Sequence, residues 1–165
     1  MTTETLGTLM DDGTQRAVRF ERHYDAPPEQ VWEVLVDPAH VRRWLAEMTI
    51  EPRVGGGVAF DWGSTNQDEG VVQAFEPPRL FEYTWSREGP SVIRFELSQD
   101  GDGTLLVLEH TNLSAEQAIS VGAGWHSHLD AMEALLAGSP QTASEWSARY
   151  ESLRPVYEGK AAALG

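Results

Sequence analysis

The side chains of this sequence best suited to chemistry near neutral pH are three histidines, His110, His126 and His128. Imidazole changes charge in that range and is a common metal ligand. His126 and His128 have the spacing of a local metal pair, but on a helix they lie ~200° apart and cannot share an ion. His126 instead faces Asp130 one turn on, which predicts a surface ion pair. His128 flanks an apolar stripe and reaches the rim of whatever that stripe covers. His110 ends a strand-like run with Leu106 and Leu108 on its face, so it points inward. It reads either as a neutral, hydrogen-bonded core histidine or as a ligand-binding or acid–base group.

Other chemistries find less support. There is no H-E-x-x-H and no carboxylate–histidine cluster, so no metal and no cofactor are expected. Gly55-Gly56-Gly57 lacks the Lys-Ser/Thr of a phosphate loop and opens no helix, which makes it a turn or bulge. A G-x-S-x-G elbow and a cysteine nucleophile are both missing. The carboxylate pairs Asp11/Asp12 and Asp68/Glu69 sit in polar turns, where raised pKa values are not expected.

The elements that position these groups follow from hydrophobic period. Gly7 to Tyr24 reads as a hairpin turning at Asp11-Asp12-Gly13, with Val18, Phe20 and Tyr24 on one face and Arg19, Glu21 and His23 on the other. Pro27-Pro28 opens a helix that buries Val31, Trp32, Leu35 and Val36, and Asp37-Pro38 caps a short one through His40, Val41, Trp44 and Leu45. Strand candidates follow at about Met48–Arg53, Val58–Trp62, Gly70–Phe75, Leu80–Ser86, Val92–Leu97 and Thr104–His110. The turn clusters between them include Ser64-Thr65-Asn66 and Glu88-Gly89-Pro90, and connections this short demand antiparallel neighbours. The face of Gly70–Phe75 is ambiguous between Val72 and Phe75.

Ser114 and Gln117 form a capping box for a long helix. Along it Ala118, Val121, Trp125, Leu129, Met132 and Leu136 make one apolar stripe, at ~100° per residue. Gly122 and Gly124 each weaken its first half by about 1 kcal/mol relative to alanine, which predicts a kink or a mobile start. A last amphipathic run, Ala143, Trp146, Tyr150 and Leu153, is expected to end at Pro155.

Bulk composition sets the outer limits. The chain of 165 residues is one domain's worth, 41% hydrophobic, and has no cysteine and hence no disulfide. Twelve Lys and Arg against 26 Asp and Glu give a net charge of −14, which repels phosphate backbones and anionic lipid heads and argues against nucleic-acid and membrane partners. No apolar run approaches the ~18 residues of a membrane span. The N-terminus carries no basic or apolar leader, so a cytoplasmic location is the default reading.

A series of short segments, taken in order, resembles the helix-grip fold of the SRPBCC superfamily, which includes START and birch-pollen-allergen-like proteins. The local motifs are most similar to its AHSA branch, named after the activator of a heat-shock-protein ATPase. They are Val18-Arg19-Phe20-Glu21-Arg22, Pro28-Glu29-Gln30-Val31-Trp32, Asp37-Pro38-Ala39-His40 with Trp44, Pro77-Pro78-Arg79, Tyr83-Thr84-Trp85, His110 with Leu113, and Gly124-Trp125-His126. The resemblance implies an α+β domain over residues 1–138, a curved antiparallel sheet gripping the long helix with a cavity between. Residues 139–165 form a helical tail packed on it or used in a homodimer contact.

By the same resemblance the inward faces carry Phe60, Trp62, Phe81, Tyr83, Trp85, Ile93, Phe95, Leu97, Leu106, Leu108 and His110. The period-two alternation of Glu82, Arg94, Glu96 and Glu109 independently supports that grouping. The expected function is non-catalytic binding of an apolar or aromatic small molecule, lipid-like or polyketide-like. The candidate site is Trp44, Phe60, Trp62, Phe81, Tyr83, Trp85, Phe95, Leu108, His110, Trp125, His128, Leu129 and Met132. A filled core is the bland alternative for the same residues. Two rival functions are a protein-interaction module, with a chaperone partner by analogy only, and a cyclase- or hydrolase-like enzyme using His110 and Tyr83.

Overall fold

Alternating apolar and polar side chains commit most of the chain to one antiparallel sheet. In the computed structural model, which describes residues 6–11, 13, 15–62, 67–85 and 91–164, the sequence runs β1 (Thr8–Asp11), β2 (Arg16–Tyr24), α1 (Pro28–Val36), α2 (Pro38–Val41), β3 (Glu47–Ile50), β4 (Gly57–Asp61), β5 (Gln67–Glu76), β6 (Leu80–Trp85), β7 (Ser91–Asp100), β8 (Gly103–Leu113), α3 (Ala115–Leu136) and α4 (Ala143–Ala163). The strand order is β1-β2-β8-β7-β6-β5-β4-β3. A curved open sheet of this order with a long helix across its concave face is the helix-grip arrangement, an α+β fold. Met1–Thr5, Asp12 of the hairpin turn, the turn Ser64-Thr65-Asn66, Ser86 and the turn Glu88-Gly89-Pro90 lie outside the described residues.

The local signals act as their chemistry requires. Pro28 starts α1, where its missing N–H leaves no bond unmade, and the Asp37 carboxylate accepts from Ala39 N at 3.0 Å to cap α2. Ser114 Oγ accepts from Gln117 N at 3.1 Å while Gln117 Oε1 accepts from Ser114 N at 2.9 Å, closing the capping box of α3. Gly138 takes φ +82°, the left-handed turn that ends α3.

The core lies between the sheet and α3. Val18, Phe20, Ile93, Phe95, Leu106 and Leu108 from the strands meet Ala118, Leu129 and Met132 from the helix, all at most 1% exposed. The ambiguity in β5 has a structural cause. Its register against β6 slips between Val72 and Ala74, so Val72 is buried in the core and Phe75, three residues on, still packs on Trp32 and Phe81.

Three expectations need correction. α4 does not stop at Pro155 but runs through it to Ala163, because burial of Leu153, Tyr157 and Ala161 offsets the one hydrogen bond that proline removes. α3 is one continuous helix, and Gly122 is there for space, since a Cβ at that position would stand 2.7 Å from Tyr157 Cδ1. His126 is fully buried rather than on the surface, because α4 covers the side of α3 that sequence reading left to solvent.

Candidate ligand-binding site

Where β6 stops and β7 begins, Trp85 pairs with Ser91, and one step inward Ile93 pairs with His110. Trp125 reaches β8 and β6 from α3. Its indole Nε1–H donates to His110 Nδ1 at 3.0 Å, and its ring stands edge-on to Trp85 with centroids 6.2 Å apart. An indole only donates, so His110 Nδ1 is the acceptor and the proton sits on Nε2, which donates to Ser91 Oγ at 2.7 Å. Burial pushes the His110 pKa down to about 3, so this ring is neutral.

Trp62 completes the wall. It stacks on Trp85 with centroids 5.6 Å apart, and its Nε1–H donates to Asp68 Oδ2 at 2.7 Å. Phe60 lies behind both, stacked on Trp85 at 5.6 Å. The result is an open cleft of about 310 Å³ walled by Trp62, Trp85, Trp125, Leu45, Leu113 and Val121. Asp68, Ser91, His110, Gln117 and His128 are its polar points.

His128 sits on the rim of this cleft. Its Nδ1–H donates to the Trp44 carbonyl at 3.0 Å, which leaves the Nε2 lone pair as an acceptor. The ring is surrounded by Trp62, Trp125 and Trp146, at 5.9, 6.0 and 4.8 Å between centroids, and burial lowers its pKa to about 4. Trp44 anchors this contact by donating from Nε1 to the Val34 carbonyl at 2.8 Å, which ties the α1–α2 segment to α3.

Of the thirteen residues expected at the site, Trp62, Trp85, His110, Trp125 and His128 converge on the cleft. Trp44 lines an adjoining hollow. Phe60, Phe81, Tyr83, Phe95, Leu108, Leu129 and Met132 are packed as interior: Phe81 meets Tyr83 at 4.9 Å, and Phe95 meets Trp125 at 5.7 Å. Tyr83 and His110 do not form the acid–base pair that a cyclase or hydrolase reading requires. Ile93 lies between them in the register row, and both His110 nitrogens are engaged by Trp125 and Ser91. Burial raises the Tyr83 phenol well above its ordinary pKa.

Sequence reasoning missed Ser91 and Asp68. Ser91 shares the inward face of Ile93, Phe95 and Leu97 by simple alternation, so extending that strand by one step would have found it. Asp68 was expected with Glu69 in a polar turn, but both lie in β5, and the role of Asp68 depends on Trp62 across a strand pair. Among the described residues no three His, Cys, Asp or Glu side chains converge as ligands for a metal.

A second polar cluster fills the opposite side of α3. His126 Nδ1 and the Tyr157 hydroxyl share a hydrogen bond of 2.9 Å, and that hydroxyl accepts from Gly7 N at 2.8 Å. His126 Nε2 lies 3.7 Å from Asp130, whose carboxylate takes bonds from Arg22 at 2.7 Å and Arg149 at 3.1 Å. Burial lowers the His126 pKa to about 4, against the pull of Asp130. The cluster joins β1, β2, α3 and α4, which makes it a structural tie.

The sheet, the long helix and the cleft between them define a protein of the SRPBCC type. More narrowly, the chain belongs to the family of activator of Hsp90 ATPase homolog 1-like proteins, whose profile matches residues 25–137. It is similar to CalU16 from Micromonospora echinospora, whose crystal structure superposes with a TM-score of 0.78 at 29% identity, covering 98% of this chain and 99% of that one. The fold is shared with DynU16 of the dynemicin biosynthetic locus (TM-score 0.69, 22% identity, 79% of this chain and 49% of that one). It is also shared with the Aha1 dimer from Colwellia psychrerythraea (TM-score 0.63, 16% identity, 73% and 95%). No curated protein matches the chain. Among the described residues no helix is long and apolar enough to cross a membrane.

Proposed function

We propose that the protein binds an apolar or aromatic small molecule, lipid-like or polyketide-like, between its sheet and α3, and does so without catalysis. The observation that carries this reading is the open volume walled by Trp62, Trp85 and Trp125. Large flat rings around a concavity with few polar points are the usual make-up of a small-molecule site. The volume lies at the lower end of the ~300–1,000 Å³ range of such sites, which favours a compact ring system over a long acyl chain. His110 acts as a wall residue in this reading, since its nitrogens are spent on Trp125 and Ser91. Native mass spectrometry of the protein with long-chain fatty acids, flat polycyclic phenols and anthraquinones tests it. A one-to-one adduct with a polycyclic compound is expected, weakened by Trp125→Ala. Free protein throughout the panel would refute the reading.

A further inference from the structure

The cleft does not end at His128. A second hollow of about 390 Å³ lies beyond it, and the two share Leu45, Trp62 and His128 as a common wall. The far chamber is chemically different. Arg42 and Arg43, side by side after α2, stand at its mouth, and Trp146 and Gln141 line it.

The arginines are unusual for this molecule. In an acidic chain of net charge −14, the other described arginines (16, 19, 22, 53, 79, 94, 149 and 154) all pair with a carboxylate. Among the described cations only Arg42, Arg43 and Lys160 have no such partner, and Lys160 belongs to the last turn of α4, where a cation complements the helix dipole. Two adjacent, uncompensated guanidiniums therefore sit at one chamber. Trp146, which lines it, has an indole N–H buried with no acceptor. A buried donor left unpaired is costly, and an incoming acceptor would relieve it. The Gln141 amide also buries its oxygen unpaired, and turned over it would offer a second donor.

We propose that this chamber binds a carboxylate, so that the ligand is an amphipathic anion. Its aromatic body fills the tryptophan cleft, its acid group meets Arg42, Arg43 and the Trp146 N–H, and its midsection passes His128. The His128 Nε2 lone pair accepts from a hydroxyl on that midsection. An acidic protein repels anions at long range, so local guanidiniums are what make such a ligand bindable. This inference rests on the small-molecule reading above and narrows its ligand class.

The test compares 1-pyrenebutyrate with the neutral 1-pyrenebutanol, both followed by tryptophan-to-pyrene energy transfer. The carboxylate is expected to bind on the order of tenfold tighter, the scale of one charge-assisted contact. Added salt should erode that preference. The double variant Arg42→Gln/Arg43→Gln, exposed in the fold and checked by circular dichroism, should abolish it while leaving pyrenebutanol unchanged. Trp146→Phe, which keeps the ring and removes the donor, should reduce it. Equal binding of the two probes, or a preference that survives the double variant, overturns the proposal alone. If neither probe binds, the small-molecule reading fails and takes this inference with it.

Discussion

His126 and His128 stand two residues apart on one helix and live in opposite worlds. On the His126 side both ring nitrogens face partners, Tyr157 fills the space that Gly122 vacates, and α4 seals the cluster. On the His128 side one nitrogen is fixed by Trp44 and the other is spare, beside two open hollows. Polar groups packed into filled space hold a fold together, even where Arg22 leaves its Nε and one Nη buried without an acceptor. Unsatisfied ones in open space are where a ligand fits. That contrast, more than residue type, separates the structural histidine from the candidate binding one.

Acid should break both sides, and it is the largest effect expected. His110, His126 and His128 all have pKa values well below that of a free imidazole, because burial disfavours their charged form. Their stabilisation is fully present above the unfolded pKa of about 6.5 and is lost as pH falls towards their folded values of about 3 to 4. Each buried histidine contributes a slope of roughly 1.4 kcal/mol per pH unit in that window. Urea midpoints measured from pH 8 to pH 4 should therefore fall steeply below pH about 6.5, and a flat profile would show that the rings are protonated in the native state.

The filled side should tolerate no added volume. Gly122→Leu drives a side chain into Tyr157 and should cost about 3 kcal/mol, read as a lowered denaturation midpoint. Tyr157→Phe keeps the ring but strips His126 Nδ1 and Gly7 N of their partner, a loss of about 2 kcal/mol. An unchanged midpoint in either variant would mean that the His126 side is loosely packed. The open side should behave in the opposite way. Gly124→Ala places its Cβ 4.0 Å from Tyr150, ordinary contact, and should stabilise α3 by about 0.5–1 kcal/mol. A destabilised Gly124→Ala would mean that the cleft is closed.

Much of the fold was legible because its signals are local. Pro28, the Ser114–Gln117 box and the alternation from Tyr83 to His110 each act within a few residues. What stayed hidden depends on distant chain. Arg22 falls on the inward face by the same alternation as Phe20 and Tyr24, yet nothing nearby reveals its partner Asp130, 108 residues on. His126 looked exposed because the helix that covers it arrives later and runs through a proline. The mid-sheet aromatics pointed inward as expected, but whether Phe81, Tyr83 and Phe95 line space or fill it is a matter of packing volume, which no pattern of residue types encodes. The second chamber was invisible for the same reason, since Arg42 and Trp146 meet only through α2 and α4.

The central claim is that a ligand enters the tryptophan cleft and leaves the rest of the core alone. Six tryptophans give six indole N–H reporters, and Trp32, packed on Phe75 and Phe81, lies away from the cleft. Nitrogen–proton correlation spectra recorded during a titration with 1-pyrenebutanol read all six at once. The account predicts saturable shifts of the Trp62, Trp85 and Trp125 indole signals with Trp32 stationary. Shifts spread evenly over all six, or confined to Trp32, would contradict it.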